Sequence, residues 1–259
     1  MPELTLWNGD CLEIMKQIPD KSIDLIICDL PYGCLASPKI GGGQNIRLPE
    51  DRCSWDIKIN LEEFWKQIKR IRKSDHSPTI HFCTTKFGFE LHASNPDEFR
   101  HDLVWDKQRG VSFLSANKMP MRSHEMIYVF SKAGAFYERV DISGNFESWV
   151  RTRTDKSKIS TQYGGTRIKE EEGGDGKRCV LSVVQHPTSS RQGGHPTEKP
   201  ESLYRFLIER YCPVDGTVLD PTFGSGNSVF TAFSMGRSAI GIEKDDTFFK
   251  KAEERLNKL

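Results

Sequence analysis

Ile23-Asp24-Leu25-Ile26-Ile27-Cys28 is almost continuously apolar, and a short run of that kind predicts a strand buried on both faces, as strands of parallel sheets are. Parallel neighbours need long crossovers, so the chain must supply strand–helix–strand units. It does so twice. Leu4 to Trp7 reads as a strand and Asp10 to Ile18 as a helical turn or two ahead of the apolar run. After Pro200, a helix through Leu203, Phe206, Leu207 and Tyr211 leads to a strand at Thr217 to Asp220. A helix at Ser228 to Met235, a strand at Ala239 to Ile242 and a C-terminal helix ending at Leu259 complete this second run. Between the two runs, apolar residues at 61, 64, 65, 68 and 71 have the spacing of an amphipathic helix. Thr79 to Phe82, Leu103 to Trp105 and Met126 to Phe130 read as further strands.

Two stretches have no usable period. Residues 34–55 carry Gly41-Gly42-Gly43 and form a long loop, and residues 138–192 are rich in Gly, Ser, Thr and charges, with one apolar run at Cys179 to Val184. The second stretch reads as an insert, which divides the chain into 1–137, 138–192 and 193–259. Within it Arg151, Arg153, Lys156, Lys158, Arg167 and Lys169 face a single acid, Asp155, and are interleaved with Tyr163 and hydroxyls. That composition suits a phosphate backbone, and it also suits a solvated loop, since Glu170 to Glu172 reverse the charge.

A net charge of +1 over 259 residues means that any nucleic-acid role rests on local patches of this kind. No apolar run approaches the roughly 18–20 residues of a membrane span, and the N-terminus lacks a basic segment followed by an apolar one. The expectation is a cytoplasmic or nuclear protein. The seven cysteines form no CxxC pair and no Cys/His cluster with metal spacing, so reduced thiols and no bound metal are expected.

Asp29-Leu30-Pro31-Tyr32 follows the first apolar run. A carboxylate and the next carbonyl can accept both hydrogens of a flat amine, proline adds no competing N–H, and the ring of Tyr32 offers a face for stacking. The same residues also suit an ordinary strand-to-turn junction. Leu219-Asp220-Pro221-Thr222-Phe223-Gly224-Ser225-Gly226-Asn227-Ser228 lies between a strand and a helix, where glycines let a ligand approach the backbone. Glu243 ends the next strand, at the distance where an acid commonly binds ribose hydroxyls. A dinucleotide fold wants a third glycine where Val229 stands, and no Gly-Lys-Ser/Thr follows for a phosphate loop. The turn therefore reads as one for an adenosine with an uncharged linker.

Together with His195-Pro196-Thr197-Glu198-Lys199-Pro200, these motifs resemble the beta class of amino-group DNA methyltransferases that use S-adenosylmethionine. Three separated motifs agree in order, and the likeness spans most of the chain. Asn8-Gly9-Asp10, Trp105-Asp106-Lys107 and His124-Glu125 resemble further segments of the class, and residues 138–192 stand where it carries its target-recognition region. The resemblance implies an α/β fold: a doubly wound, mostly parallel, seven-stranded Rossmann-like sheet in circularly permuted order. It implies that Asp29 and the Leu30 carbonyl grip an exocyclic amine, with Pro31 between them and Tyr32, which stacks on a flipped base by its ring rather than its hydroxyl. Asp29 would also meet the cofactor. Asp220, Thr222, Phe223, Gly224, Ser225, Gly226, Asn227 and Ser228 would form the cofactor turn, with Glu243 on the ribose, Lys244 beside it and Asp10 on the adenine. Thr197, Lys199 and Pro200 would close over the methionine end.

The family's usual second residue is proline, and Leu30 stands there, which leaves a backbone carbonyl in place. Asp at position 29 favours adenine N6 over cytosine N4. The implied partner is double-stranded DNA, and a homodimer and a cognate restriction endonuclease are implied by resemblance alone. Methyl transfer to RNA or to a protein glutamine, and a DNA-binding module without activity, are the rival readings.

Overall fold

A computed structural model describes residues 1–32, 57–111, 113, 116–143, 177–188 and 198–259. The candidate DNA contacts Arg151, Arg153, Lys156, Lys158, Arg167 and Lys169, the cofactor contact Thr197 and the loop 34–55 lie outside the described residues.

The strands are β1 (Leu4–Asn8), β2 (Leu25–Cys28), β3 (Thr79–Cys83), β4 (Phe99–Val111), β5 (Arg122–Phe130), β6 (Ile142–Ser143), β7 (Lys177–Arg178), β8 (Val183–Gln185), β9 (Thr217–Asp220) and β10 (Ser238–Glu243). The helices are α1 (Cys11–Ile14), α2 (Leu61–Ile71), α3 (Thr85–Ser94), α4 (Glu201–Tyr211), α5 (Asn227–Ser234) and α6 (Asp246–Leu256). Eight strands form one sheet in the order β1-β10-β9-β2-β3-β5-β4-β8. All neighbours pair parallel except β3 with β5 and β5 with β4. The sheet has eight strands rather than seven, because Val183–Gln185, inside the stretch 138–192, pairs with Val104 to Asp106 as an edge strand.

Helices cover both faces, and the period-two alternation of β3 shows how. His81 packs its ring on Trp65 of α2, while the next residue, Phe82, packs on Tyr204 of α4. On the first face Met15, Phe64, Ile68, Ile71 and Leu91 bury together with Ile26 and Cys28. Asn60 starts α2 by accepting the N–H groups of Glu62 and Glu63 at 3.0 and 3.2 Å, which satisfies two donors the helix cannot. Helix α3 has no simple apolar stripe in sequence, since Phe87 and Leu91 are buried and Phe89 is exposed. It lies close to β5 because Gly88 has no Cβ; one placed there would sit 2.9 Å from the Tyr128 ring.

From β2 the next parallel strand lies to one side, and from β9 the next lies to the other. The carboxyl ends of β2 and β9 therefore meet at a topological switch point, where open α/β sheets bind ligands. Residues Arg139–Leu181 cluster as a separate unit. In it β6 and β7 form an antiparallel pair, with Ile142 opposite Arg178.

Candidate active site

A cavity of about 560 Å³ opens at this switch point and reaches from the glycine-rich turn to the end of β2. Asp29, Leu30, Pro31 and Tyr32 line it on one side, and Thr222, Phe223, Gly224 and Ser225 on the other. Asp10, Glu243, Lys244 and Lys199 also line it. Thus most of the described residues singled out from sequence, although they come from opposite ends of the chain, share one space.

Asp29 is held from three directions. Its Oδ1 accepts the Tyr32 hydroxyl at 2.7 Å, its Oδ2 accepts Lys199 Nζ, and its backbone carbonyl accepts the Thr222 hydroxyl at 3.2 Å. Lys199 is buried and lies 3.6 Å from Glu125 Oε2, and Glu125 is paired in turn with Lys107. Burial alone would pull the Lys199 ammonium down, but Asp29 and Glu125 outweigh it and hold it above the ordinary lysine value. Burial alone would likewise raise Glu125, yet the two lysines hold it below the ordinary carboxylate value. The four groups form an alternating charge row, each charge compensated by its neighbours. The Leu30 side chain is buried and belongs to the hydrophobic core.

Tyr32 packs its ring against Phe87, with centroids 5.1 Å apart, and its pKa is raised by burial and by the charge of Asp29. Its hydroxyl braces the carboxylate, a role that a reading based on stacking alone did not foresee.

The turn after β9 is shaped from within. The Asp220 carboxylate accepts the Thr222 N–H at 3.0 Å and the Ser228 hydroxyl, and is buried. It braces the turn from behind and is absent from the cavity wall, as are Gly226, Asn227 and Ser228. Gly226 has φ +81, and a Cβ there would meet the Phe230 ring at 2.8 Å. Asn227 instead ties down the segment before α4, donating to Glu198 Oε1 at 2.5 Å and to the Lys199 carbonyl at 3.1 Å. Pro200 caps α4 and does not line the cavity.

Glu243 accepts the N–H groups of Gly224 and Asp245, each at 2.8 Å, and burial raises its pKa. A carboxylate has about four lone-pair directions, so two are left for hydroxyls in the cavity. Asp10 caps α1 through Leu12 N–H at 3.0 Å and reaches Lys244 at 3.1 Å. Gly9, at φ +146, lets the backbone enter α1, its N–H bonded to the Glu243 carbonyl at 2.9 Å. Phe223 fits over β10 because residue 241 is glycine; a Cβ there would lie 2.6 Å from its ring.

The cavity is acidic: Asp10, Asp29, Glu125, Glu198, Glu243 and Asp245 are six carboxylates against Lys58, Lys199 and Lys244. A cationic ligand suits it and a polyphosphate does not. Sequence reading missed Glu125 and Lys107 as a unit, together with Tyr204, Asp245 and Phe248 on the wall. An acid at the head of the apolar stretch Met126 to Phe130 was the available signal for Glu125. His81 and His101 are packing residues: His81 is buried among aromatic rings with its pKa pushed down to about 3 by burial, and His101 bonds the Tyr211 hydroxyl at 2.8 Å.

Comparison with known proteins identifies the family. The family model N6_N4_Mtase, described as DNA methylase, matches residues 23–254, and the chain belongs to that family. It is 30% identical over 272 residues to the Type II methyltransferase M.HinfI of Haemophilus influenzae, covering 98% of this chain and 68% of that one. Among solved structures, the cytosine-N4-specific PvuII DNA methyltransferase aligns with a TM-score of 0.67 at 16% identity, over 98% of this chain and 86% of that one. The M1.HpyAVI–SAM complex aligns with a TM-score of 0.60 at 17% identity, over 98% of this chain and 99% of that one. These two likenesses are of fold.

Proposed function

We propose that this DNA methyltransferase transfers a methyl group from S-adenosylmethionine to the exocyclic N6 of an adenine flipped out of duplex DNA. The observation that carries the reading is the one cavity that joins the turn at Thr222 to Ser225 with Asp29 and Leu30. S-adenosylmethionine supplies, when bound, a methyl group on a cationic sulfonium. The excess of carboxylates around the cavity complements that charge. Glu243 and Asp10 line the cavity and would accept from ribose hydroxyls and an adenine amine, and the turn residues Gly224 and Ser225 line the same cavity. The M1.HpyAVI structure of like fold is a complex with SAM.

An adenine amine is a poor nucleophile because its lone pair is delocalised into the ring. Asp29 and the Leu30 carbonyl would accept its two N–H groups and draw the lone pair out of conjugation. The attack then needs positioning and charge complementarity, and the brace of Tyr32, Lys199 and Thr222 on Asp29 supplies the positioning. Removing a base from the stack costs a few kcal/mol, which stacking on Tyr32 would offset in part. Asp rather than Ser at position 29 places adenine ahead of cytosine N4. The basic stretch Arg151 to Lys169 is proposed as a phosphate contact and favours DNA over a protein glutamine. Incubation with methyl-labelled S-adenosylmethionine and, in parallel, unmethylated genomic DNA, RNA and protein tests the substrate. Label in DNA alone is expected; label in RNA or protein alone contradicts the reading.

A further inference from the structure

Helix α4 brings a second phenol to the cavity wall. Tyr204, in the first turn, lines the cavity at 6% exposure, while Leu203 and Leu207 of the same helix are fully buried. The start of α4 is anchored, because Asn227 ties down Glu198 and the Lys199 carbonyl just ahead of it. The Tyr204 ring stands edge-on to Phe82 of β3, with centroids 5.8 Å apart. The Lys199 ammonium lies 5.2 Å from the centre of that same Phe82 ring. Tyr204 therefore belongs to the part of the cavity where Lys199 meets Asp29.

The fold makes no use of its hydroxyl. Among the described residues the Tyr204 hydroxyl makes no hydrogen bond, and its oxygen keeps accessible surface. The nearby hydroxyls of Tyr32 and Thr222, by contrast, both donate to Asp29. A tyrosine buried to this degree ordinarily finds a partner for its hydroxyl, so a free one on a cavity wall points to a ligand. Burial, and then the charges of Asp220, Asp29, Glu125 and Glu198, push this phenol well above its ordinary pKa, which keeps it a donor.

The surrounding charges say which ligand group needs that donor. The cations on the wall are already matched: Lys58 with Glu90, Lys244 with Asp10, and Lys199 with Asp29. The methionine end of S-adenosylmethionine carries a sulfonium, an α-ammonium and an α-carboxylate. An acidic wall suits the first two and repels the third. A neutral phenol can take a carboxylate in such a place through one charge-assisted hydrogen bond.

We propose that the Tyr204 hydroxyl donates to the α-carboxylate of S-adenosylmethionine, so that Tyr204 selects a cofactor whose carboxylate is intact. This rests on the S-adenosylmethionine reading above and adds a residue outside the motifs behind it. Tyr204→Phe removes the hydroxyl and keeps a ring on Phe82. Calorimetric titration of wild type and variant with S-adenosylmethionine, and with decarboxylated S-adenosylmethionine, isolates the carboxylate. Thermal unfolding checks the fold, and turnover on unmethylated genomic DNA is measured beside it. The variant is expected to bind S-adenosylmethionine about tenfold more weakly than wild type, and the decarboxylated compound within about twofold, with the unfolding midpoint unchanged. Equal losses for both compounds in a folded variant, or no loss for either, would overturn the contact and leave the methyltransferase reading standing. So would a fall in turnover with cofactor affinity unchanged, which gives the hydroxyl to the target base. A wild-type protein that binds neither compound overturns the cofactor reading and the contact with it.

Discussion

The Tyr32 hydroxyl has a task apart from the ring. It donates to Asp29 Oδ1 at 2.7 Å, while Lys199 holds Oδ2, so the carboxylate that would receive the amine is fixed on both oxygens. A hydrogen bond to a charged group contributes about 1.5–3 kcal/mol, so its loss in Tyr32→Phe is expected to lower kcat by about tenfold or more. Tyr32→Ala removes the stacking face as well and should fall further. Steady-state kinetics on genomic DNA checks both, and a Tyr32→Phe enzyme with wild-type kcat would mean that the hydroxyl has no part in catalysis. Glu125 acts one residue further back. Glu125→Gln leaves Lys107 and Lys199 without their shared carboxylate, and breaking a buried ion pair costs about 3–5 kcal/mol. Denaturant unfolding is expected to show that loss of stability, and an unchanged midpoint would mean that Glu125 carries no structural charge balance.

At the scale of elements, the strand and turn around the site depend on what glycine omits. Gly241 in β10 leaves room for the Phe223 ring of the neighbouring turn, so Gly241→Ala must displace that ring, which lines the cavity. The KM for S-adenosylmethionine is expected to rise severalfold, because the displaced ring lines the cavity. A higher KM for DNA alone would place the ring elsewhere in the reaction. Much of this architecture was legible in sequence. The apolar run of β2 marked a buried parallel strand, β9 was read as a strand ahead of its glycine-rich turn, and the spacing of Leu61 to Ile71 gave α2 its bounds. What escaped was set by distant partners. α3 depends on Gly88 lying against Tyr128, and β8 on an edge that β4 offers only after folding. The same holds in the site: Asp29 and the turn carry their own local signature, whereas the row from Lys107 through Glu125 to Lys199 joins residues far apart in the chain. Asp220 looked like a ligand contact because it ends a strand beside glycines; its buried bonds to Thr222 and Ser228 make it a brace.

For the whole molecule, that brace has a pH signature. Burial pushes the Asp220 carboxyl up to about 7, against the smaller opposing effect of its bonds to Ser228 and Thr222. The folded chain therefore holds this proton more tightly than the unfolded chain, whose aspartate titrates near about 3.9. The contribution to stability is full below about pH 4 and is lost as pH rises through about 7. Asp220→Asn should flatten that part of the stability–pH curve, as read by urea unfolding across the range; a parallel curve would mean that Asp220 titrates normally. The sheet meanwhile brings both ends of the chain to one edge, so the turn after β9 and the residues after β2 serve one cavity. The central claim is that Asp29 in that cavity makes an adenine amine reactive. Its most direct test is nucleoside analysis of unmethylated DNA after reaction with wild-type protein and with Asp29→Asn. The wild type is predicted to yield N6-methyladenine and the variant none; N4-methylcytosine from the wild type, or undiminished methylation by the variant, would contradict the claim.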